Sequence, residues 1–103
     1  MNPFELLKNT QAIKEQSEKM QRELEEITAE GSSGGRMVSV TLNGRFEMKS
    51  IKLDPICVDA RDVQMLEDLI VAAHKNAVDN VQEKIKSKTS SLLGGFDLSQ
   101  FGL

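Results

Sequence analysis

The feature that most constrains this chain is an N-terminal helix that is too long to fit within a compact domain of this size. Its apolar residues recur every seven positions, at Leu6, Ile13, Met20 and Ile27, a spacing typical of a helix that packs along a partner helix. A helix from residue 3 to about residue 27 extends roughly 37 Å at 1.5 Å per residue, whereas a compact domain of about this length has a radius of gyration of about 13 Å. The helix is therefore predicted to protrude from its own subunit and to need a second chain to cover it.

The middle of the chain has the alternating pattern of a β-hairpin. Val38, Val40 and Leu42 alternate with polar neighbours, and Asn43-Gly44 is a common turn sequence between antiparallel strands. The predicted strands cover residues 36–42 and 46–53, and a short strand at 27–31 precedes them across the flexible Gly/Ser turn of residues 31–35. The sheet is therefore expected to contain two or three antiparallel strands.

The hydrophobic pattern also predicts how the hairpin is aligned. A two-residue turn at Asn43-Gly44 would place Val40 opposite the charged Glu47, and apolar and charged side chains would then share one face of the hairpin. A three-residue loop, Leu42-Asn43-Gly44 with its glycine left-handed, pairs Val40 with Phe46 and keeps the apolar face whole, so it is preferred. The last apolar residues of the return strand then fall on the opposite face. Either a bulge near Ser50 or burial of both faces would accommodate them, and both alternatives stay open.

A second amphipathic helix follows the sheet, and Asp59 or Asp62 is expected to cap it. Its apolar residues recur at intervals of three and four positions, at Leu66, Ile70, Ala73, Ala77 and Val81. The helix is expected to exceed twenty residues and to end at Gly94-Gly95. We assign residues 1–93 to one domain and residues 94–103 to a flexible C-terminal tail.

The residues capable of catalysis or metal binding do not form a recognisable constellation. His74 is the single histidine and has no cysteine at ligand spacing, so neither a metal site nor a cofactor is expected. Cys57 is the single cysteine and lies in no nucleophile motif, and an unpaired thiol fits a reducing cytoplasm. The sequence thus predicts a cytoplasmic protein without a membrane span or a small-molecule substrate. An enzyme is the least supported class of function.

The charge of the chain is unevenly distributed. The formal net charge is -3, from 13 basic and 16 acidic residues, which by itself argues against a nucleic-acid partner. However, residues 31–53 hold 4 basic residues and 1 acidic residue, and residues 84–103 hold 3 and 1. Because binding to phosphate follows the local field rather than the total charge, these segments can contact DNA. The scarcity of aromatic residues, 4 Phe with no Trp or Tyr, favours duplex over single-stranded DNA.

Basic residues are the candidate DNA-binding residues, since their side chains neutralise phosphates. They are Lys14, Lys19 and Arg22 on the first helix, Arg36, Arg45, Lys49 and Lys52 on or beside the hairpin, and Lys84, Lys86 and Lys88 on the last helix. Those on the first helix also have an ordinary explanation as part of a solvated salt-bridged face, and those on the last helix as cations near a helix C-terminus. Composition alone favours an ordinary surface role for every one of these basic residues. The apolar stripes supply the candidate dimer interface, which is Ile13, Met20, Leu24, Ile70, Ala73 and Ala77.

Two stretches of the chain form a distinctive pair of motifs. One is residues 38–44, and the other is Leu53-Asp54-Pro55 followed by residues 65–73 and Ala77. Together they resemble the YbaB/EbfC family of nucleoid-associated proteins. The similarity spans nearly the whole chain, and the tail after Gly94 departs most. It implies an α+β subunit of helix, three-stranded antiparallel sheet and helix, assembled as a tweezer-like homodimer with long protruding helices. It also implies a cofactor-free protein that binds double-stranded DNA and organises the nucleoid.

Two functional hypotheses follow from these patterns. The leading one is a homodimer that binds duplex DNA mainly through phosphate contacts, in the cytoplasm and associated with the nucleoid, with a further role in gene regulation. The alternative is an acidic coiled-coil-like adaptor that binds other proteins, which the net charge of -3 and the Glu-rich first helix favour. The family resemblance and the segregated basic segments favour DNA binding.

Overall fold

The computed structural model describes residues 3–92, which form a helix, three strands and a second helix in that order. The elements are α1 (Pro3–Glu26), β1 (Thr28–Ser33), β2 (Val38–Asn43), β3 (Met48–Leu53), a short 3-10 turn (Pro55–Cys57) and α2 (Val63–Leu92). The predicted α+β order is confirmed, with three strands rather than two. The tail predicted for residues 94–103 lies outside the described residues, as does the predicted end of the last helix at Gly94-Gly95.

The sheet is antiparallel with strand order β1-β2-β3, and α2 lies across one of its faces. Alternation along β2 directs its apolar side chains to this face, as the sequence predicts. The core lies between these side chains and α2, and its fully buried members include Val38, Val40, Leu42, Ala73, Ala77 and Val81. Each buried Val or Leu contributes about 1.5–3 kcal/mol relative to an exposed one, so this layer of contacts holds α2 on the sheet.

The contact between α2 and β1 brings two backbones together. A Cβ atom built on Gly31 would lie 2.0 Å from the backbone nitrogen of Ala77 and 2.6 Å from the carbonyl oxygen of Ala73. Only a residue without a side chain therefore lets the helix rest on the strand. The spacing of the small residues predicts Ala73 and Ala77 at a dimer interface, whereas both are fully buried within the single chain. Their small size serves the contact with β1, and they have no exposed surface left for a second chain.

Side chains of α2 also cover the outer edge of β1. Three residues spaced by four positions, and therefore on one side of the helix, bond to its backbone. Asn76 Oδ1 accepts from the Ser32 N–H (3.0 Å), Asn80 Nδ2 donates to the Glu30 carbonyl oxygen (2.8 Å), and Lys84 Nζ donates to the Thr28 carbonyl oxygen. Backbone groups of an edge strand that would otherwise recruit another strand are thereby occupied.

The hairpin loop between β2 and β3 has three residues, as predicted, but it lies two positions later along the chain. The Asn43 N–H donates to the Glu47 carbonyl oxygen (3.0 Å), and the enclosed loop is Gly44-Arg45-Phe46. Val40 pairs with Ile51, so the predicted pairing of Val40 with Phe46 is wrong. The residue in the left-handed region is Phe46, at φ +63°, and not the glycine that the sequence favours there.

The buried side chain of Asn43 accounts for this shift. Its Oδ1 accepts hydrogen bonds from the backbone N–H groups of Arg45 (2.9 Å) and Glu47 (3.0 Å), and its Nδ2 donates to the Glu47 carboxylate (2.8 Å). Asn side chains bond readily to backbone groups a few residues ahead. Here those bonds make Asn43 the residue that precedes the loop, and not a residue within it. The tendency of Asn43-Gly44 to occupy the centre of a turn is therefore overridden.

A bulge in β3 decides between the two alternatives for the return strand. Thr41 pairs with Ser50 and Leu42 pairs with Met48, so Lys49 is the extra residue. The expected bulge near Ser50 is confirmed, and burial on both faces is not observed, because every residue of β3 is exposed. The apolar residues on both sides of the bulge consequently lie on the same face of the sheet as the core residues of β2.

α2 begins after Asp62, whose Oδ1 accepts a hydrogen bond from the Met65 backbone N–H (3.1 Å). Of the two expected caps, Asp62 is thus the one that is used. Asp59 instead accepts from the backbone N–H and the guanidinium of Arg61 (2.9 and 3.0 Å). The described part of α2 has 30 residues, in line with the predicted length. Neither helix within residues 3–92 is long and apolar enough to cross a membrane.

We expect Gly31→Ala to destabilise the protein strongly, because the added methyl group would meet the backbone of α2 rather than a flexible side chain. Overpacking a core typically costs about 1–3 kcal/mol, and we expect a loss of about 3 kcal/mol or more here because two backbones meet and neither can move aside easily. Urea denaturation at fixed protein concentration, followed by far-ultraviolet circular dichroism, measures the loss in the free energy of unfolding.

Gly35→Ala is the matched control for this variant. Gly35 has open space around the position of a Cβ atom but lies at φ +66°, so the substitution should cost only about 1–2 kcal/mol. Equal losses for the two variants would contradict the backbone contact at Gly31.

Candidate nucleic-acid interface

α1 extends away from the rest of the chain. The chain spans 68 × 29 × 20 Å and has a radius of gyration of 19.3 Å, well above the value of about 13 Å for a compact domain of this size. On α1, Ile13 is 69% exposed and Met20 is 59% exposed. The predicted protruding helix is therefore confirmed, and its apolar residues lie open to the surroundings.

The C-terminal turn of α1 attaches to the hairpin loop. The Leu24 carbonyl oxygen accepts hydrogen bonds from the Gly44 N–H (2.8 Å) and the Ile27 N–H (3.2 Å). Arg45 Nη1 lies 2.8 Å from Glu25 Oε1 and forms an ion pair with it. The loop between β2 and β3 is thus the part of the sheet that holds the protruding helix.

The paired residues Thr28 and Asn43 form one end of the sheet, which we call the α1 end. α2 also passes this end, because Lys84 bonds to the Thr28 carbonyl oxygen and residues 85–92 continue the helix. At 1.5 Å per residue this α2 extension is roughly 12 Å long. Both helices therefore extend from the same end of the sheet.

Most of the predicted DNA-binding residues lie at the α1 end or on the two helices that extend from it. They are Lys14, Lys19, Arg22, Arg45, Lys49, Lys84, Lys86 and Lys88. The structure separates the other two candidates from this set. Arg36 lies in the loop between β1 and β2, at the opposite end of the sheet, and Lys52 pairs with Ser39 near that end.

Two of these cations already bond within the chain. Arg45 forms the ion pair with α1, and Lys84 bonds to the edge of β1. Lys14, Lys19 and Arg22 are exposed, and in the part of the chain that the structure describes they form no ion pair with their acidic neighbours. Within Pro3–Glu26, the structure therefore shows none of the ion pairs that the spacing of these three residues suggests.

The α2 extension is the most uniformly positive segment of the described chain. Residues 85–92 contain 2 lysines and no acidic residue, whereas Pro3–Glu26 contains 4 basic and 6 acidic residues. A polyanion that approaches the α1 end would thus meet a positive surface on α2 and a mixed surface on α1. Cations near a helix C-terminus are also stabilised by the helix dipole, and this effect is compatible with phosphate binding.

The loop that attaches α1 holds a carboxylate in its charged form. The hydrogen bond from Asn43 lowers the pKa of Glu47 below its ordinary value of 4.5, and the charges of Arg45 and Lys49 lower it further. Asn43 is fully buried although it is polar. The turn pair Asn43-Gly44 is visible in the sequence, but the complete burial of the Asn43 side chain is not, because burial depends on how the elements pack around the loop.

The residue types that could hold a metal ion or act as a nucleophile are not grouped into a site within residues 3–92. Within residues 3–92, no group of three or more His, Cys, Asp or Glu side chains is placed to hold a metal ion. Cys57 is buried, and its thiol donates to the Asp54 carbonyl oxygen (3.0 Å), while His74 is exposed on α2. The distinctive feature is a set of exposed cations on two helices that leave one end of a sheet.

These features define a small α+β protein with a helix on one face of a three-stranded sheet and a second helix that protrudes. The chain belongs to the YbaB/EbfC DNA-binding family, which residues 1–96 match. The resemblance seen in the sequence is therefore confirmed, and the family is one of DNA-binding proteins rather than of enzymes.

Relatives in several bacteria share most of this chain. A nucleoid-associated protein of Caldanaerobacter subterraneus is 44% identical over 93 residues, which are 90% of this chain and 84% of that protein. A nucleoid-associated protein of Moorella thermoacetica is 41% identical over 100 residues, 97% of this chain and 96% of that protein. The crystal structure of an uncharacterized Helicobacter pylori protein covers 90% of this chain and 98% of its own, with a TM-score of 0.66 at 22% identity. That similarity supports the fold.

We expect Asn43→Ala to raise the pKa of Glu47 toward 4.5, because it removes the hydrogen bond that is the largest cause of the lowering. A carboxylate whose pKa is lowered by folding adds stability above its unfolded pKa, and that stability is lost as the pH falls through the folded value. The stabilising effect of Glu47 should thus begin to decrease as the pH falls below about 4.5 and be gone below the lowered pKa in the wild type, and it should be largely absent from the variant at every pH. An NMR titration of the Glu47 carboxyl carbon measures the pKa.

Arg45→Gln is the comparison for this titration. It removes only a smaller, coulombic contribution, so the pKa of Glu47 should rise less than in Asn43→Ala. A larger rise in Arg45→Gln would show that charge, and not the hydrogen bond, holds the carboxylate ionised.

Proposed function

We propose that the protein binds double-stranded DNA as a homodimer, mainly through phosphate contacts, and thereby organises the nucleoid and influences the expression of the genes it covers. The observation that carries this proposal is the gathering of exposed cations around the α1 end of the sheet in a member of a DNA-binding family. Relatives that are named nucleoid-associated proteins support a place in the cytoplasm, on the nucleoid.

The proposed dimer uses the β3 side of the sheet. Met48, Ile51 and Leu53 lie on the face that carries the core, yet they are 46%, 41% and 39% exposed. α2 packs on β1 and β2 and leaves this part of the face uncovered. Because large apolar patches that adjoin a core are uncommon on monomers, we propose that a second copy of the chain covers this one.

Two-fold symmetry suits a surface of this kind, since in an isologous dimer the same patch meets itself. Val71 of α2 is exposed and Ile70 is half-buried, so the helix can extend the apolar patch. We place Ile70 in the interface on this ground. Ile13 and Met20, exposed on α1, are proposed to lie where the partner subunit can reach them, and the half-buried Leu24 lies at the base of the same helix.

In such a dimer each basic group occurs twice, related by the two-fold axis. The two α1 helices and the two α2 extensions are proposed to straddle the duplex, with Lys86 and Lys88 against phosphate oxygens. Phosphate contacts position a protein on DNA without reading the bases, so binding should be weakly selective for sequence. Arg45 and Lys84 are not proposed to make the first phosphate contacts, because both are already bonded within the chain.

Fluorescence anisotropy of a labelled duplex of about 30 base pairs, titrated at several salt concentrations, tests this function. The logarithm of the association constant should fall linearly with the logarithm of the salt concentration, with a slope of about -5 to -7, as roughly six to eight phosphates are neutralised per dimer. The double variant Lys86→Gln/Lys88→Gln should flatten the slope by about 1 for each phosphate that is no longer neutralised. An unrelated duplex should compete equally.

Lys75→Gln is the matched control, since Lys75 is exposed on α2 but lies outside its extension, and its slope should match the wild type. A dissociation constant that does not change with salt would contradict phosphate binding. If no DNA binds even at low salt, the adaptor hypothesis takes its place, which the excess of acidic residues on α1 favours.

We expect Ile51→Glu to convert the dimer to a monomer, because it places a charge in the apolar β3 face. Ser50→Glu is the matched control: it adds the same charge at the neighbouring position of the strand, on the opposite face, and should leave the dimer intact. Sedimentation velocity measures the mass of each, and circular dichroism checks folding. A monomeric wild type, or a dimeric Ile51→Glu, would rule out this interface.

A further inference from the structure

We propose that Gly44 and Arg45 are positioning residues that set the angle at which α1 leaves the sheet. The inference rests on the proposed function for its consequence: in a dimer this angle sets the spacing between the two α1 helices and hence the duplex they accept. Neither residue needs to contact DNA to act in this way.

The attachment of α1 to its own subunit is small. Among the described side chains of α1, Glu23 and Leu24 are half-buried and the others are exposed. The hydrogen bonds to the Leu24 carbonyl oxygen and the ion pair of Glu25 therefore provide much of what fixes the direction of the helix. A helix held at one end only can be redirected by changes in a few atoms.

Gly44 allows the loop to approach the end of the helix. Its N–H donates to the Leu24 carbonyl oxygen at 2.8 Å, one of the acceptors that the last turn of a helix leaves without an intrahelical partner. A Cβ atom on Gly44 would lie 2.4 Å from this same oxygen and 3.1 Å from the Leu24 Cα atom. Any side chain at position 44 would therefore push the helix end away from the loop.

The loop itself is held rigidly enough to transmit its position. Asn43 is fully buried and bonds to the backbone N–H groups of Arg45 and Glu47. Phe46, the last residue of the loop, lies at φ +63°, a backbone conformation that residues other than Gly and Asn rarely adopt. A loop that keeps such a residue in place has a specific shape. That shape directs both the Gly44 N–H and the Arg45 side chain toward α1.

The ion pair between Arg45 and Glu25 is the second contact that bears on the angle. Both side chains are partly exposed, so the pair adds little to global stability. The position of the ion pair matters more than its strength, because it joins the loop to the last turn of α1, where the helix is attached to the sheet. The pair also neutralises the guanidinium of Arg45, which makes a positioning role a better account of this residue than a direct phosphate contact.

The length of α1 makes its tip sensitive to this angle. Its 24 residues extend about 36 Å at 1.5 Å per residue. A rotation of about 10° at the base then moves the tip by about 6 Å, given that length. This displacement is comparable with the width of the minor groove of DNA, about 6 Å, so a small change in the loop is enough to alter how a duplex fits between two helices.

The angle can be measured without DNA by double electron–electron resonance on the full chain. Spin labels are placed on α1 by Gln11→Cys and on α2 by Lys75→Cys, with Cys57→Ser to remove the native thiol, and labelled chains are mixed with an excess of unlabelled chains. We expect one narrow distance distribution in the parent protein. Gly44→Ala should shift it by several ångströms, and Gly35→Ala, at the other end of the sheet with open space around it, should not.

Charge-swapped variants separate positioning from direct contact and do not depend on whether Gly44→Ala folds. Arg45→Gln and Glu25→Gln should broaden the distance distribution alike, and the double variant Glu25→Arg/Arg45→Glu should restore it. In DNA titrations at one low salt concentration, both single variants should weaken binding by about fivefold, and the swap should recover it. A direct phosphate contact instead predicts weaker binding for Arg45→Gln, tighter binding for Glu25→Gln and no recovery.

The distance measurement and the DNA titration test the positioning role and the proposed function separately. An unchanged distance in Gly44→Ala, or a swapped pair that does not restore the distribution, overturns the positioning role whatever happens with DNA. If the distances change as expected but no form of the protein binds DNA, the positioning role stands and the proposed function fails.

Discussion

Direct contact between the backbones of β1 and α2 is the constraint on which the rest of the structure depends. Because Gly31 has no side chain, Ala73 and Ala77 can lie against the strand. α2 is then close enough for its polar side chains to reach the outer edge of β1. Lys84 bonds there, and this contact fixes the point at which α2 passes the end of the sheet. The lysines that follow it therefore extend beyond the sheet, on the side from which α1 also leaves.

The same contact makes the subunit asymmetric. α2 lies over β1 and β2 and occupies the outer edge of β1, while the apolar residues of β3 remain exposed on the face that carries the core. One side of the sheet is thus covered within the chain, and the other is the side that the proposed second copy would cover. Most of the candidate DNA-binding cations lie at one end of the sheet or on the helices that leave it, and the exposed apolar residues of β3 lie along one edge, so the two surfaces are separate.

Much of the architecture is predictable because each element has a strong local pattern. The seven-residue repeat from Leu6, the alternation around Val40 and the helical spacing around Ala73 predict the elements to within a few residues. The hairpin alignment is different: Asn43-Gly44 predicts a turn by itself, but the buried side chain of Asn43 moves the loop two positions along the chain. Two local preferences of Asn43 compete there, and the one that hydrogen-bonds its side chain to Arg45 and Glu47 prevails over the one that places it at the centre of the turn.

The candidate nucleic-acid interface was likewise predictable from the sequence only in part. The amino-acid sequence by itself determined the order of elements, the protruding helix and the identity of the basic side chains, because these depend on local periodicity and composition. Its resemblance to known proteins at two short stretches indicated the family. Only the tertiary structure decided that Arg36 and Lys52 lie apart from the other cations, that Arg45 and Lys84 are already bonded, and that Ala73 and Ala77 pack within one chain. Distances between residues far apart in sequence are set by strand register and by how closely a helix approaches a sheet, and neither quantity is encoded in any single segment.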